Sequence, residues 1–166
     1  MKIIKDLIDL QPEMQNWRRD IHSHPEIAVE EHRTAKLVAD KLESFGLEVE
    51  PGIAGTGVVG TLKKGTGNRS IGLRADLDAL LINETNDFPH KSKVPGKMHA
   101  CGHDGHTTML LGAAKYLAEK GNFDGTINFI FQPAEENEGG GTVMIDEGLF
   151  DKYPVESVYG MHNIPG

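Results

Sequence analysis

Apolar positions in the first quarter of the chain recur at helical spacing. Met14, Trp17 and Ile21 share one face, and Ala35, Val38, Leu42 and Phe45 form a second stripe. Pro12, with its fixed φ and missing N–H, suits a first helical position, so one helix is expected to open there. A second is expected over 29–45, stopped by Gly46. The polar run His22-Ser-His-Pro-Glu26 reads as the turn between them. From Leu47 the period changes to two. Short β-branched or alternating runs at 47–50, 57–62 and 70–75 read as strands, with a Gly-rich turn at 63–69. Residues 76–100 carry Pro89, Pro95 and Gly96 and no periodicity. After them helix and strand alternate: a helix over 107–120 ended by Gly121, a strand over 125–132, a short helix over 142–149 and a strand over 157–162. This rhythm predicts an α/β fold, a mixed and largely parallel sheet flanked by helices.

Composition narrows the class. Of 166 residues, 38% are hydrophobic and 25% charged, enough apolar content for one packed domain and too much for disorder. The 17 Lys+Arg against 25 Asp+Glu leave a net charge of −8 and no basic stripe, which argues against nucleic acid as a partner. The one dense basic piece, Lys91, Lys93 and Lys97, reads as a solvated loop. A single Cys forbids an internal disulfide and fits a reducing compartment. Lys5, Asp6 and Asp9 interrupt any signal-peptide core, and no run approaches the ~18 apolar residues of a membrane span. A cytoplasmic location and no membrane partner are expected.

In open α/β sheets, sites form in loops beyond the carboxyl ends of strands. Three such loops hold unusual residues. One carries Arg74, Asp76 and Asp78. The second is Met98-His-Ala-Cys-Gly-His-Asp-Gly-His106, and the third is Gln132-Pro-Ala-Glu-Glu-Asn-Glu-Gly-Gly-Gly141. In extended chain Cys101 and His103 point the same way and can converge on one ion. Thiolate with imidazole suits a transition metal rather than Ca²⁺ or Mg²⁺. A helix starting near Thr107 would help depress the Cys101 pKa. The plain alternative is a buried free Cys beside surface histidines. Glu135 and Glu136 could be a surface pair; placed between an apolar strand and a glycine turn, one could bind metal while the other acts as general base. His162 ends the last strand, expected beside the strand that leads to Glu135. Asp76 reads as half of an ion pair with Arg74 or as a carboxylate orienting a ligand. His22, His24, His32 and His90 read as surface or loop histidines, the first two within reach of the site. No Gly-x-Ser-x-Gly elbow or P-loop is present. A Cys101/His103 thiol hydrolase remains open, but it leaves both glutamates unexplained.

Taken together, His22-Ser-His-Pro-Glu26, Arg74-Ala-Asp-Leu-Asp-Ala79, the Cys101 block, Gln132-Pro-Ala-Glu-Glu136, 139–144 and Met161-His-Asn163 resemble the M20 metallopeptidase family. The resemblance is to its amidohydrolase branch of hippurate hydrolases, N-acyl-amino-acid deacylases and indole-acetyl-amino-acid hydrolases. The pieces stand in family order and span nearly the whole chain. The resemblance implies a zinc-peptidase-like catalytic domain in which Cys101, His103, Glu136 and His162 bind two divalent metals, Mn or Zn, with Co or Ni as substitutes. It makes Glu135 the general base toward a metal-bound hydroxide that cleaves the amide of an N-acyl amino acid. Beside this set, Asp76 and Asp104 are expected as supporting carboxylates. Leu81 departs from the proline usual there. Family members are longer, with a lid and dimerisation domain and a later catalytic portion that supplies one more His. Residues 1–166 are therefore expected to be the N-terminal portion of a catalytic domain, prone to self-association or to pairing with a C-terminal half. A non-catalytic metal-binding or interaction module is the alternative.

Overall fold

A computed structural model describes residues 4–164. In chain order the elements are α1 (Lys5–Ser23), α2 (His32–Ser44), β1 (Glu48–Ile53), β2 (Gly57–Lys64), β3 (Ser70–Asp76), α3 (His103–Lys120), β4 (Gly125–Gln132), α4 (Gly140–Asp146), α5 (Leu149–Lys152) and β5 (Val158–Gly160). The five strands form one sheet in the order β1-β2-β4-β3-β5. β3 pairs in parallel with both β4 and β5, whereas β2 runs antiparallel to β1 and β4. Four strands therefore point one way and β2 opposes them. The sheet is mixed and flanked by helices, as the alternation predicted.

The central strand explains how the layers close. In β4 the run from Ile127 to Phe131 is buried throughout, the pattern of a strand covered on both faces. Ile127, Phe129 and Phe131 join Val58 and Leu62 of β2 in the main core beneath α1, α2 and α3. Val59 and Ile130 turn to the other face and pack with Met144 and Leu149 of α4 and α5. Buried Leu110, Leu111 and Ala114 seat α3 on the sheet, and α1 lies against α3 through Met14 and Trp17.

Element boundaries differ from the sequence expectation where tertiary packing overrides local signals. Pro12 does not open α1; it lies inside a helix that starts at Lys5 and runs through His22. Leu10, Met14 and Trp17 continue the apolar stripe across it, and their burial against α3 outweighs the lost backbone hydrogen bond. The segment expected as one helix at 142–149 breaks in two at Gly148, whose φ is 89°. α3 begins at His103 rather than Thr107, which places His103 in the first helical turn. β5 is three residues long, held only by β3 among the described strands. No helix among the described residues is long and apolar enough to cross a membrane.

Candidate metal centre

The site lies beyond the carboxyl ends of β3, β4 and β5. Its floor is α3, whose first residue, His103, is fully buried. The loop before it reverses at Gly102, which adopts φ 95°. Cys101 and His103 do converge, through this left-handed turn rather than through extended chain.

Asp78 binds the parts together. Its Oδ1 lies 3.1 Å from His103 Nδ1, and its Oδ2 accepts the Glu136 N–H at 3.0 Å. A carboxylate on Nδ1 fixes the imidazole tautomer and leaves the Nε2 lone pair for a ligand. That Nε2 is buried without a hydrogen-bond partner, and so is Glu136 Oε1, 3.7 Å away. Donor atoms of Cys101, His103 and Glu136 all lie within 4.8 Å of one another. Buried lone pairs left without donors are costly, so two of them facing each other beside a thiol fit a divalent transition-metal ion. Cys101 Sγ also lies 3.4 Å from His162 Nε2.

Glu135 differs from Glu136 in exposure, at 38% against 19% for the side chain, and its Oε2 is 4.0 Å from His103 Nε2. Both carboxylates thus face the same point, and Glu135 stays open to water. The residue before them, Ala134, is buried at φ 53°. Its N–H donates to Glu31 Oε1 at 2.9 Å. The expectation that α3 would depress the Cys101 thiol is corrected. Burial, then Glu136 and the neighbouring carboxylates, push it up to about 12.

The other sequence candidates fall as follows. Asp76 is fully buried and forms an ion pair with Arg74 Nη1 at 2.7 Å. Its free oxygen meets His106 Nδ1 at 2.6 Å rather than His103, so Asp78 is the carboxylate that orients His103. Asp104 has no hydrogen bond to the His103 ring among the described residues. It meets His22 at 2.9 Å and Arg18 at 3.1 Å. Burial raises its carboxyl, but His22, His99 and Arg18 outweigh that and hold it at about 2. His22 is therefore no surface residue: it is buried between Asp104 and Glu84. His24 is half-buried, His32 is exposed and His90 stacks on Phe88. His162 lies beyond β5, but β5 adjoins β3, so one strand separates it from the Glu135 strand and the expected adjacency is corrected. Asp78, His106 and Asn163 carried no assigned role. The i, i+2 spacing of Asp76 and Asp78, and the i, i+3 spacing of His103 and His106 at a helix start, were the available signals.

An α/β sheet that gathers thiol, imidazole and carboxylate beyond its parallel strand ends defines a protein with a transition-metal donor set. The chain belongs to peptidase family M20/M25/M40, whose model matches residues 72–166. It is 54% identical over 165 residues to a hippurate hydrolase of Campylobacter jejuni, covering 99% of this chain and 43% of that protein. An IAA-amino acid hydrolase of Arabidopsis thaliana is 50% identical over 151 residues, 90% of this chain and 33% of that one. Among solved structures, a dinuclear metal-binding M20 peptidase of Bacillus subtilis superposes with a TM-score of 0.89 at 39% identity, covering 95% of this chain and 44% of the other. The chain thus spans less than half the length of these relatives.

Proposed function

We propose that this chain is the first portion of the catalytic domain of a metal-dependent hydrolase that cleaves the amide bond of N-acyl amino acids. Cys101, His103, Glu136 and His162 are its ligands to a two-metal centre, and Glu135 is its general base. The observation that carries the reading is the facing pair of buried, unpartnered atoms, His103 Nε2 and Glu136 Oε1. A pair of Mn or Zn ions held there would supply Lewis acidity toward the scissile carbonyl and toward an attacking water.

The chain's own residues do the rest. Asp78 holds His103 in the tautomer that presents Nε2 and holds the Glu136 backbone in place. Glu135, more exposed than its neighbour, takes a proton from water and passes it to the leaving amine. Relatives named as hydrolases of hippurate and of IAA-amino acids support an acylated amino acid as the substrate. A reducing compartment such as the cytoplasm keeps Cys101 available as a ligand. Self-association or pairing with a C-terminal half would use the β5 edge, because Val158, Tyr159 and the following Met161 are exposed there.

Metal content before and after dialysis, in the chain and in Cys101→Ser, tests the centre. Bound transition metal that falls sharply in the variant supports it, and none in either protein overturns it. Hydrolysis of acyl-amino acids that Glu135→Gln abolishes while metal is retained supports the base. Equal turnover in that variant removes Glu135 from the role.

A further inference from the structure

We propose that Arg74, Asp76, His106 and Asn163 form a single hydrogen-bonded chain that positions His162, an inference that rests on the reading of His162 as a metal ligand. The chain starts at the half-buried Arg74 of β3. Arg74 Nε donates to Gln132 Oε1 at 2.9 Å and its Nη1 to Asp76 Oδ2 at 2.7 Å. Asp76 Oδ1 holds His106 Nδ1 at 2.6 Å. The other ring nitrogen, Nε2, accepts the Asn163 backbone N–H at 3.1 Å, and this acceptor role excludes a second bond to the nearby Asn163 Oδ1. Asn163 in turn accepts, on its backbone carbonyl, the His162 Nδ1 at 2.7 Å. His162 is left with Nε2 alone, directed at Cys101 Sγ.

The need for such a device is visible in the fold. Residues 161–164 follow β5 with no helix or strand and are exposed, so burial of its own does not fix His162. Asp76 and His106, by contrast, are 0% and 2% exposed, seated on β3 and α3. The chain transmits that rigidity outward to a segment without its own. The His162 ring also stands edge-on to His106, with centroids 4.6 Å apart. Asn163 closes over the backbone between two other donors. A Cβ at Gly102 would come within 2.6 Å of Asn163 Oδ1, so only glycine leaves room for the clasp.

Donor atoms of Asp76 and His106 also lie within 4.8 Å of those of His103 and His162. Both Asp76 oxygens and both His106 nitrogens already have partners, whereas His103 Nε2 has none. Asp76 and His106 are therefore positioning residues, and the ligands are the groups left open.

Cobalt(II) titration of the 166-residue chain tests this without any assay of activity. Ligand-field bands report coordination, and the thiolate charge-transfer band reports Cys101. Asn163→Pro, which removes the backbone N–H that His106 Nε2 receives, and His106→Gln are expected to weaken cobalt binding about 10–100-fold and to shift the ligand-field bands, with the thiolate band retained. His162→Ala should weaken binding at least as much. The metal-free thermal midpoint of Asn163→Pro should match wild type, because residue 163 is exposed and outside any helix or strand, so this variant decides the matter where His106→Gln fails to fold. Wild-type affinity and bands in Asn163→Pro, beside loss in His162→Ala, would overturn the proposal. So would an unaltered His162→Ala. A wild-type chain that takes up no cobalt is a different failure: it removes the metal-centre reading and this inference with it.

Discussion

Asp78 is the residue on which most of the site's geometry turns, because one carboxylate serves His103 with one oxygen and the Glu136 N–H with the other. Asp78→Ala is expected to lower metal affinity about 10–100-fold in competition with a chromophoric chelator. Asp78→Asn, which keeps an acceptor, should lie between. His22 gives a prediction of another kind. Its hydrogen bond to Asp104 is the largest influence on it and outweighs burial, so its pKa is raised. A raised folded pKa means that the protonated ring stabilises the fold. That contribution is complete below the unfolded value of about 6.5 and is lost as pH rises through the higher folded value. Urea midpoints measured across this window should decline with rising pH, and His22→Gln should flatten the slope.

At the level of elements, the turn into α3 and the strand β4 set the site's position. Gly102→Ala would force a side chain into φ 95° and against Asn163, and is expected to destabilise by about 1–3 kcal/mol in urea melts. Phe129→Ala, in the middle of β4 and fully buried, should remove about 3–5 kcal/mol. These elements were largely legible in the residue pattern: β4 was expected with the bounds it has, because a run of apolar β-formers between glycine and proline admits little else. The start of α1 was not. Pro12 is a strong local signal, and only docking against α3 reveals that Leu10 and Met14 continue the helix across it.

For the molecule as a whole, folding and metal binding should be linked, since the donors meet only in the folded chain. Added Zn²⁺ is expected to raise the thermal midpoint by mass action, equivalent to about 2.7 kcal/mol at a hundredfold excess over Kd. Scanning calorimetry should show the shift in Glu135→Gln and lose most of it in Cys101→Ser. The β5 edge belongs to this scale too. Tyr159 and Met161 are 60% and 63% exposed beside a strand with an open side. Sedimentation velocity should show concentration-dependent association that Tyr159→Lys reduces, because a charge on an open edge opposes strand pairing.

The sequence by itself determined the fold class, the order of elements and the block that brings Cys101 next to His103. Those features rest on local periodicity and on donors two residues apart. The tertiary structure alone decided which carboxylate serves which histidine. Asp76 and Asp78 are alike in the sequence, and a choice between them depends on how β3 and α3 meet, 25 to 30 residues apart along the chain. It also decided the state of the Cys101 thiol. The helix start near it suggests a lowered pKa, but burial among Glu136, Asp76 and Glu135 reverses the sign, because desolvation and like charges gathered at the ends of two neighbouring strands outweigh one helix end.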